Sequence, residues 1–155
     1  MSVNVAGLFT LTRELMPMLA ASATPDRPST IVNLGSVMGT ATEAENAYSY
    51  SASKAAVHHL TRILAQEFAS RNVTVNAIAP GPFPTNMTRF AIGDAEGQAR
   101  AAKAVPLRRV GRPEDIAATL LYLVGRGGAY TTGAIVPVDG GLAASPPPSM
   151  WSERE

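Results

Sequence analysis

The 155 residues are enough for one domain with one core, and 46% hydrophobic against 16% charged residues is a globular mixture, neither disordered nor fibrous. Thirteen basic and twelve acidic residues leave a net charge of +1 with no long block of either sign, which argues against nucleic acid or an anionic membrane surface as a partner. The absence of cysteine excludes disulfides, cysteine-ligated iron–sulfur clusters and thiolate zinc sites, and the adjacent His58 and His59 diverge on a helix and make a poor metal pair.

The chain opens without a basic segment ahead of an apolar run, and no apolar stretch approaches the ~20 residues that span a bilayer. A soluble, cytoplasmic protein is expected. Residues 3–21 are predicted helical, with Leu8, Leu11, Leu15, Met18 and Leu19 as the apolar stripe and Pro17 as a kink near the end. Thr24-Pro25-Asp26-Arg27-Pro28 breaks that helix, and the β-branched run 30–35 reads as a buried strand. A longer helix is predicted over 50–70, with Ala52, Ala56, Leu60, Ile63, Leu64 and Phe68 along one face. A second strand covers 73–79 and is closed by Pro80-Gly81-Pro82. Between 83 and 112 only a short helix near 95–104 is predicted.

Pro113 opens the next helix at the position that tolerates proline, with Glu114 and Asp115 favourable in its first turn. Ile116, Leu120, Leu121 and Val124 supply its apolar face, and Gly125 or Gly127 its end. Thr132-Gly133 introduces a last strand, 134–138, and the tail with Pro146-Pro147-Pro148 is expected to be mobile. Alternating helices and strands require crossover connections, hence an α/β fold with a parallel sheet and helices on both faces. Three strands make a thin sheet with a long unpaired edge.

Chemistry is concentrated in Tyr50-Ser51-Ala52-Ser53-Lys54, where the four-residue spacing puts the tyrosine and lysine on one helix face. An ammonium beside a phenol favours the phenolate, so such a pair is a credible general acid/base. Lysine is scarce here, two against eleven arginines, and Tyr48 has no lysine four residues later, so Tyr50 is the candidate. Ser36 ends the first strand, where open parallel sheets bind ligands, and its hydroxyl is placed to hydrogen-bond a substrate carbonyl. Asn76-Ala77-Ile78-Ala79-Pro80-Gly81 ends the second strand, with proline and glycine allowing a sharp turn and close approach of a flat ligand. Taken singly, Ser36 and Pro80-Gly81 are also ordinary strand-ending turns.

In this order and spacing, Ser36, Tyr50/Lys54 and Pro80-Gly81 resemble the short-chain dehydrogenase/reductase family. The match continues through Gly111-Arg112-Pro113-Glu114-Asp115-Ile116-Ala117 and ends with Thr132-Gly133 and Val138-Asp139-Gly140-Gly141. The resemblance implies a Rossmann-type doubly wound parallel sheet, of which residues 1–142 form the C-terminal half in about three strands, with 143–155 as a flexible tail. It implies an NAD(P)(H)-dependent oxidoreductase that reduces a carbonyl or oxidises a secondary alcohol. Tyr50 matches the general acid, Lys54 the residue that tunes it and binds the nicotinamide ribose, and Ser36 the residue that positions the substrate oxygen. Asn4 resembles the asparagine that anchors a water in the proton relay. Pro80, Gly81, Phe83 and Thr85 match the loop over the nicotinamide and its phosphates, joined in cofactor binding by Tyr50 and Lys54. Residues 86–105, with Met87, Arg89 and Phe90, fall where the family places its variable substrate lid. The wording of 79–88 and 129–133 is similar to the 3-oxoacyl reductase-like subgroup linked to rhamnolipid synthesis, which favours NADP(H) over NAD(H) and β-ketoacyl thioesters as substrates.

One departure matters. Family members carry a Gly-x-x-x-Gly-x-Gly turn that holds the pyrophosphate at a helix N-terminus, and neither it nor an Asn-Asn-Ala-Gly segment occurs here. The first four strands of the family sheet are therefore expected to be missing, through a late start codon or a truncated gene model. The ADP portion of the cofactor would then have no site, and binding by these residues alone is in doubt. The open apolar faces point to a homo-oligomer through the helices at 3–21 and 50–70. The alternative is a catalytically inactive fragment that acts only by association with other subunits.

Overall fold

The computed structural model describes residues 1–40 and 46–144. Most of the expected mobile tail, Pro146-Pro147-Pro148 included, lies outside the described residues. Three parallel strands, β1 (Ser29–Leu34), β2 (Val73–Pro80) and β3 (Ile135–Val138), form one sheet in the order β1-β2-β3. Parallel neighbours need long crossovers. Helix α2 (Tyr48–Phe68) makes the first, and α3 (Arg89–Ile92), α4 (Ala95–Ala104) and α5 (Pro113–Val124) lie in the second. Helix α1 (Leu8–Ser22) precedes β1 and is entered through a π-helical turn, Ser2–Gly7. Pro17 lies inside α1, which nevertheless runs on to Ser22.

Strand β2 is central, and every residue from Val73 to Ala79 is buried, so both of its faces are covered. The core gathers Met16 of α1, Leu64, Ala65 and Phe68 of α2, and Val73 and Val75 of β2, with Leu19, Ile31 and Leu60 at its margin. Helix α5 also packs on β1 and β2. One buried polar pair ties β1 to α2: Asn33 Nδ2 donates to Thr61 Oγ1 at 2.9 Å, and that hydroxyl in turn donates to the Val57 carbonyl within α2 at 2.8 Å. The pairings Leu34↔Ile78 and Pro80↔Val138 bring the carboxyl ends of all three strands to one edge of the sheet.

The helices fall where their periodicity puts them, but three of the expected faces are corrected. In α1, Thr12 and Met16 are buried, while Leu11 and Met18 are 61% and 63% exposed and Leu15 is exposed too. In α2, Ser53, Val57, His58 and Thr61 join Leu64 and Phe68 inside, and Ile63 is exposed. In α5 only Leu123 is buried, and Leu120, Leu121 and Val124 are exposed. Each helix carries apolar side chains on more than one face, and a three-stranded sheet covers one of them.

Candidate active site

The site begins where β1 runs out. The Gly35 amide donates to the Ile78 carbonyl at 2.7 Å, carrying the ladder one residue beyond the strand. Ser36 then caps the single turn Val37–Gly39, its extended backbone leaving Oγ free to accept the Met38 N–H at 3.2 Å. It is buried, with 7% of its surface exposed.

Helix α2 starts close by, with Tyr50 in its first turn and Lys54 one turn on. Lys54 Nζ donates to the Leu34 carbonyl at 2.7 Å and lies 5.6 Å from the centroid of the Tyr50 ring. One ammonium therefore links the end of β1, two residues before Ser36, to the tyrosine face. Partial burial lowers the Lys54 pKa from its usual value.

Asn4 reaches helix α2 from the π-helical turn. The π turn that carries it is wider than an α turn, with the Ala6 amide reaching the Met1 carbonyl at 3.3 Å. Its Nδ2 donates to Ser53 Oγ at 3.0 Å, and Ser53 Oγ donates to the Tyr50 carbonyl at 2.7 Å. Lys54 is thus bonded to the end of β1, two residues before Ser36, and Asn4 is linked through Ser53 to the backbone of the α2 turn that carries Tyr50.

The end of β2 is adjacent but differently employed. The Gly81 amide donates to the Val138 carbonyl at 3.0 Å, and a Cβ on Gly81 would stand 2.7 Å from Asp139 Cα. The close approach that requires glycine there is to this chain's own backbone. Phe83 packs its ring on Gly111 and lines a cavity of about 470 Å³ with Pro106, Arg109, Asp139 and Gly140, and none of Asn4, Ser36, Tyr50 or Lys54 lines it. Thr85 is exposed, its hydroxyl 3.0 Å from Thr88 Oγ1.

Two residues at this edge carry more than their sequence suggests. Asn76 is fully buried, donates Nδ2 to the Thr131 carbonyl at 2.7 Å and accepts the Ala134 amide at 3.0 Å, latching β2 to the loop that leads into β3. His58, one turn beyond Lys54, is buried beneath Ser36. Burial, and then the charges of Arg62 and Lys54, push its pKa below the usual imidazole value. The helical spacing Tyr50–Lys54–His58 was the available signal.

The family model described as enoyl-(acyl carrier protein) reductase matches residues 1–143. The chain belongs to the short-chain dehydrogenase/reductase family. It is 43% identical, over 142 residues, to the rhamnolipids biosynthesis 3-oxoacyl-(acyl-carrier-protein) reductase of Pseudomonas aeruginosa, covering 92% of this chain and 56% of that protein. It is 44% identical to the galactitol 2-dehydrogenase (L-tagatose-forming) of Cereibacter sphaeroides, covering 91% of this chain and 54% of that protein. Among solved structures, the Pseudomonas aeruginosa RhlG/NADP active-site complex superimposes with a TM-score of 0.86 at 42% identity, covering 90% of this chain and 55% of the other. The chain spans about half the length of these short-chain dehydrogenase/reductase relatives. Its sheet is the corresponding part of a Rossmann-type fold.

Proposed function

We propose that this chain provides the proton-transfer side of an NADP(H)-dependent carbonyl reductase that acts on 3-oxoacyl-type substrates. The observation that carries this reading is Lys54, whose ammonium holds the Leu34 carbonyl beside Ser36 while facing the Tyr50 ring. A carbonyl group seated between Ser36 and Tyr50 would accept a hydrogen bond from the Ser36 hydroxyl and a proton from the Tyr50 hydroxyl as negative charge builds on its oxygen. Lys54 supplies fixed positive charge at that corner, and Asn4 braces the Tyr50 turn through Ser53.

The residues present suit the nicotinamide end of a dinucleotide, with the Lys54 ammonium available to a ribose hydroxyl and Pro80 and Gly81 flanking the same strand ends. The sequence holds no Gly-x-x-x-Gly-x-Gly turn for the pyrophosphate. When bound, the reduced nicotinamide supplies the hydride. The similarity to a 3-oxoacyl reductase and to a structure complexed with NADP supports the substrate and cofactor class. Calorimetry of NADPH against the 155-residue chain, with Tyr50→Phe as control, tests the reading, followed by NADPH oxidation with a β-ketoacyl thioester. Micromolar binding with thioester-dependent turnover lost in Tyr50→Phe would support the reading and overturn the expectation that the ADP portion has no site here, whereas a folded chain that binds no nucleotide would contradict activity by these residues alone.

The exposed Leu11, Leu15, Met18 and Ile63 support a second reading, a chain that acts by associating with further subunits through α1 and α2. Sedimentation of wild type and of Leu11→Glu/Met18→Glu separates the two: association lost together with turnover makes the assembly the active form. Association without nucleotide binding in any state would favour the inactive subunit.

A further inference from the structure

We infer that His58 is a positioning residue for Ser36, an imidazole that works as a neutral acceptor beneath the turn that presents the serine hydroxyl. The inference rests on the reductase reading of Ser36 and concerns a residue outside the Asn4–Ser36–Tyr50–Lys54 set. Four observations converge on it. His58 Nε2 faces the Ser36 amide at 3.4 Å, and Nδ1 faces Thr40 Oγ1 at 3.4 Å, so one ring touches both ends of the turn from Ser36 to Thr40. The side chain is buried, with 3% of its surface exposed.

The turn is also shaped around the ring. A Cβ on Gly35 would collide with Nε2, and one on Gly39 would stand 2.8 Å from both Cε1 and the Lys54 backbone carbon, so Gly35 clears space for the imidazole and Gly39 for the ring and the α2 backbone together. Because a backbone amide only donates, Nε2 must be the unprotonated nitrogen, which leaves the proton on Nδ1 to donate to the Thr40 hydroxyl.

That assignment makes the turn sensitive to acid. Protonating Nε2 would set two N–H donors against each other and release the Ser36 amide, tilting the hydroxyl away from the substrate oxygen. The charged groups whose fields reach the ring are Arg62 and Lys54, both on α2. Among the described residues, the turn 35–40 and the end of β2, 76–80, which lie on its other sides, carry no titratable side chain. Both cations and burial favour the neutral ring, so the clamp is intact at neutral pH. Its folded pKa lies below the ordinary value of about 6.5, so unfolding takes up a proton in the window below that value, and stability falls there as the pH falls.

Nitrogen-15 NMR of the 155-residue chain, titrated from about pH 8 to about pH 5, tests this directly. We expect the Nδ1–H tautomer at high pH and a Ser36 amide shift whose midpoint matches that of His58. His58→Gln, whose side-chain carbonyl can accept the same N–H, should keep the Ser36 amide protected and abolish its titration. His58→Phe should speed exchange of that amide by about tenfold or more. In NADPH oxidation, His58→Phe should lower kcat by about tenfold with KM for NADPH unchanged, and His58→Gln should restore most of it without the acid limb of the pH profile. An Nε2–H tautomer, a Ser36 amide indifferent to His58, or a His58→Phe chain with wild-type kcat would overturn the inference while leaving the reductase reading standing. Coupled titration in a wild-type chain that binds nucleotide but never turns over would instead overturn the reductase reading, and the catalytic role of His58 with it.

Discussion

Two strand ends on the same edge of this sheet, that of β1 and that of β3, both carry family motifs and use them in opposite ways. At the end of β1, polar groups are held but not used up. Ser36 gives its hydroxyl one amide to accept, at 3.2 Å, and the Lys54 ammonium makes one hydrogen bond, to Leu34, among the described residues. At the end of β3, Asp139 spends both carboxylate oxygens on backbone, accepting the Gly141 amide at 2.9 Å and the Ala143 amide at 2.7 Å. Gly140 and Gly141 take positive φ, +67° and +98°, to make that turn. A motif residue whose donors are left open is a candidate for chemistry, whereas one with both oxygens engaged by the backbone of its own turn is architecture.

Changes at the two ends should therefore separate rate from stability. Lys54→Met should lower NADPH-dependent turnover by about 10²–10⁴-fold and leave the melting temperature nearly unchanged, because its one hydrogen bond among the described residues is to a carbonyl at an exposed strand end. A large melting shift would move Lys54 to the architectural side. Asn76→Leu should do the reverse. It strands the Ala134 amide and the Thr131 carbonyl, and denaturant unfolding should show a loss of about 2–4 kcal/mol.

Gly140→Ala tests the same end more gently. A Cβ there meets Val105 Cγ1 and forces an alanine into left-handed backbone, so a loss of about 1–3 kcal/mol is expected. The smallest effect belongs to the start of α5. Asp115 holds Arg109 through contacts of 2.6 and 2.9 Å and accepts the Arg112 amide at 2.8 Å, which keep its carboxyl at about 2. A depressed carboxyl contributes stability that is complete above about 3.9 and drains away as the pH falls towards about 2. Melting curves across that window should fall less steeply for Asp115→Asn than for the wild type.

Much of this was legible from the residues alone. The alternation of helices and strands, the parallel sheet and the Tyr50–Lys54 face follow from period and spacing, and α4 occupies the expected 95–104. The inward faces of α1, α2 and α5 were not legible, because periodicity reveals a stripe without revealing what packs on it. Helix α3 has four residues, too few for any period to register. Asn76 read only as a residue of the second strand and is a latch, since its partners, Thr131 and Ala134, lie far along the chain. His58 was read only with His59, as a poor metal pair. Its actual neighbours, Gly35, Ser36 and Gly39, come from a different element and meet it only in the fold.

On the proposed function, the end of β1 does chemistry while the end of β3 and its latch hold shape. The most direct test compares Tyr50→Phe with Asn76→Leu in parallel, recording NADPH oxidation with a β-ketoacyl thioester and the unfolding free energy for each. Tyr50→Phe is expected to lose about 10²–10⁴-fold in turnover while its stability stays within about 0.5 kcal/mol of wild type, and Asn76→Leu to lose stability and keep its rate per folded molecule. Wild-type turnover by Tyr50→Phe, or a loss of rate per folded molecule confined to Asn76→Leu, would contradict this division of roles.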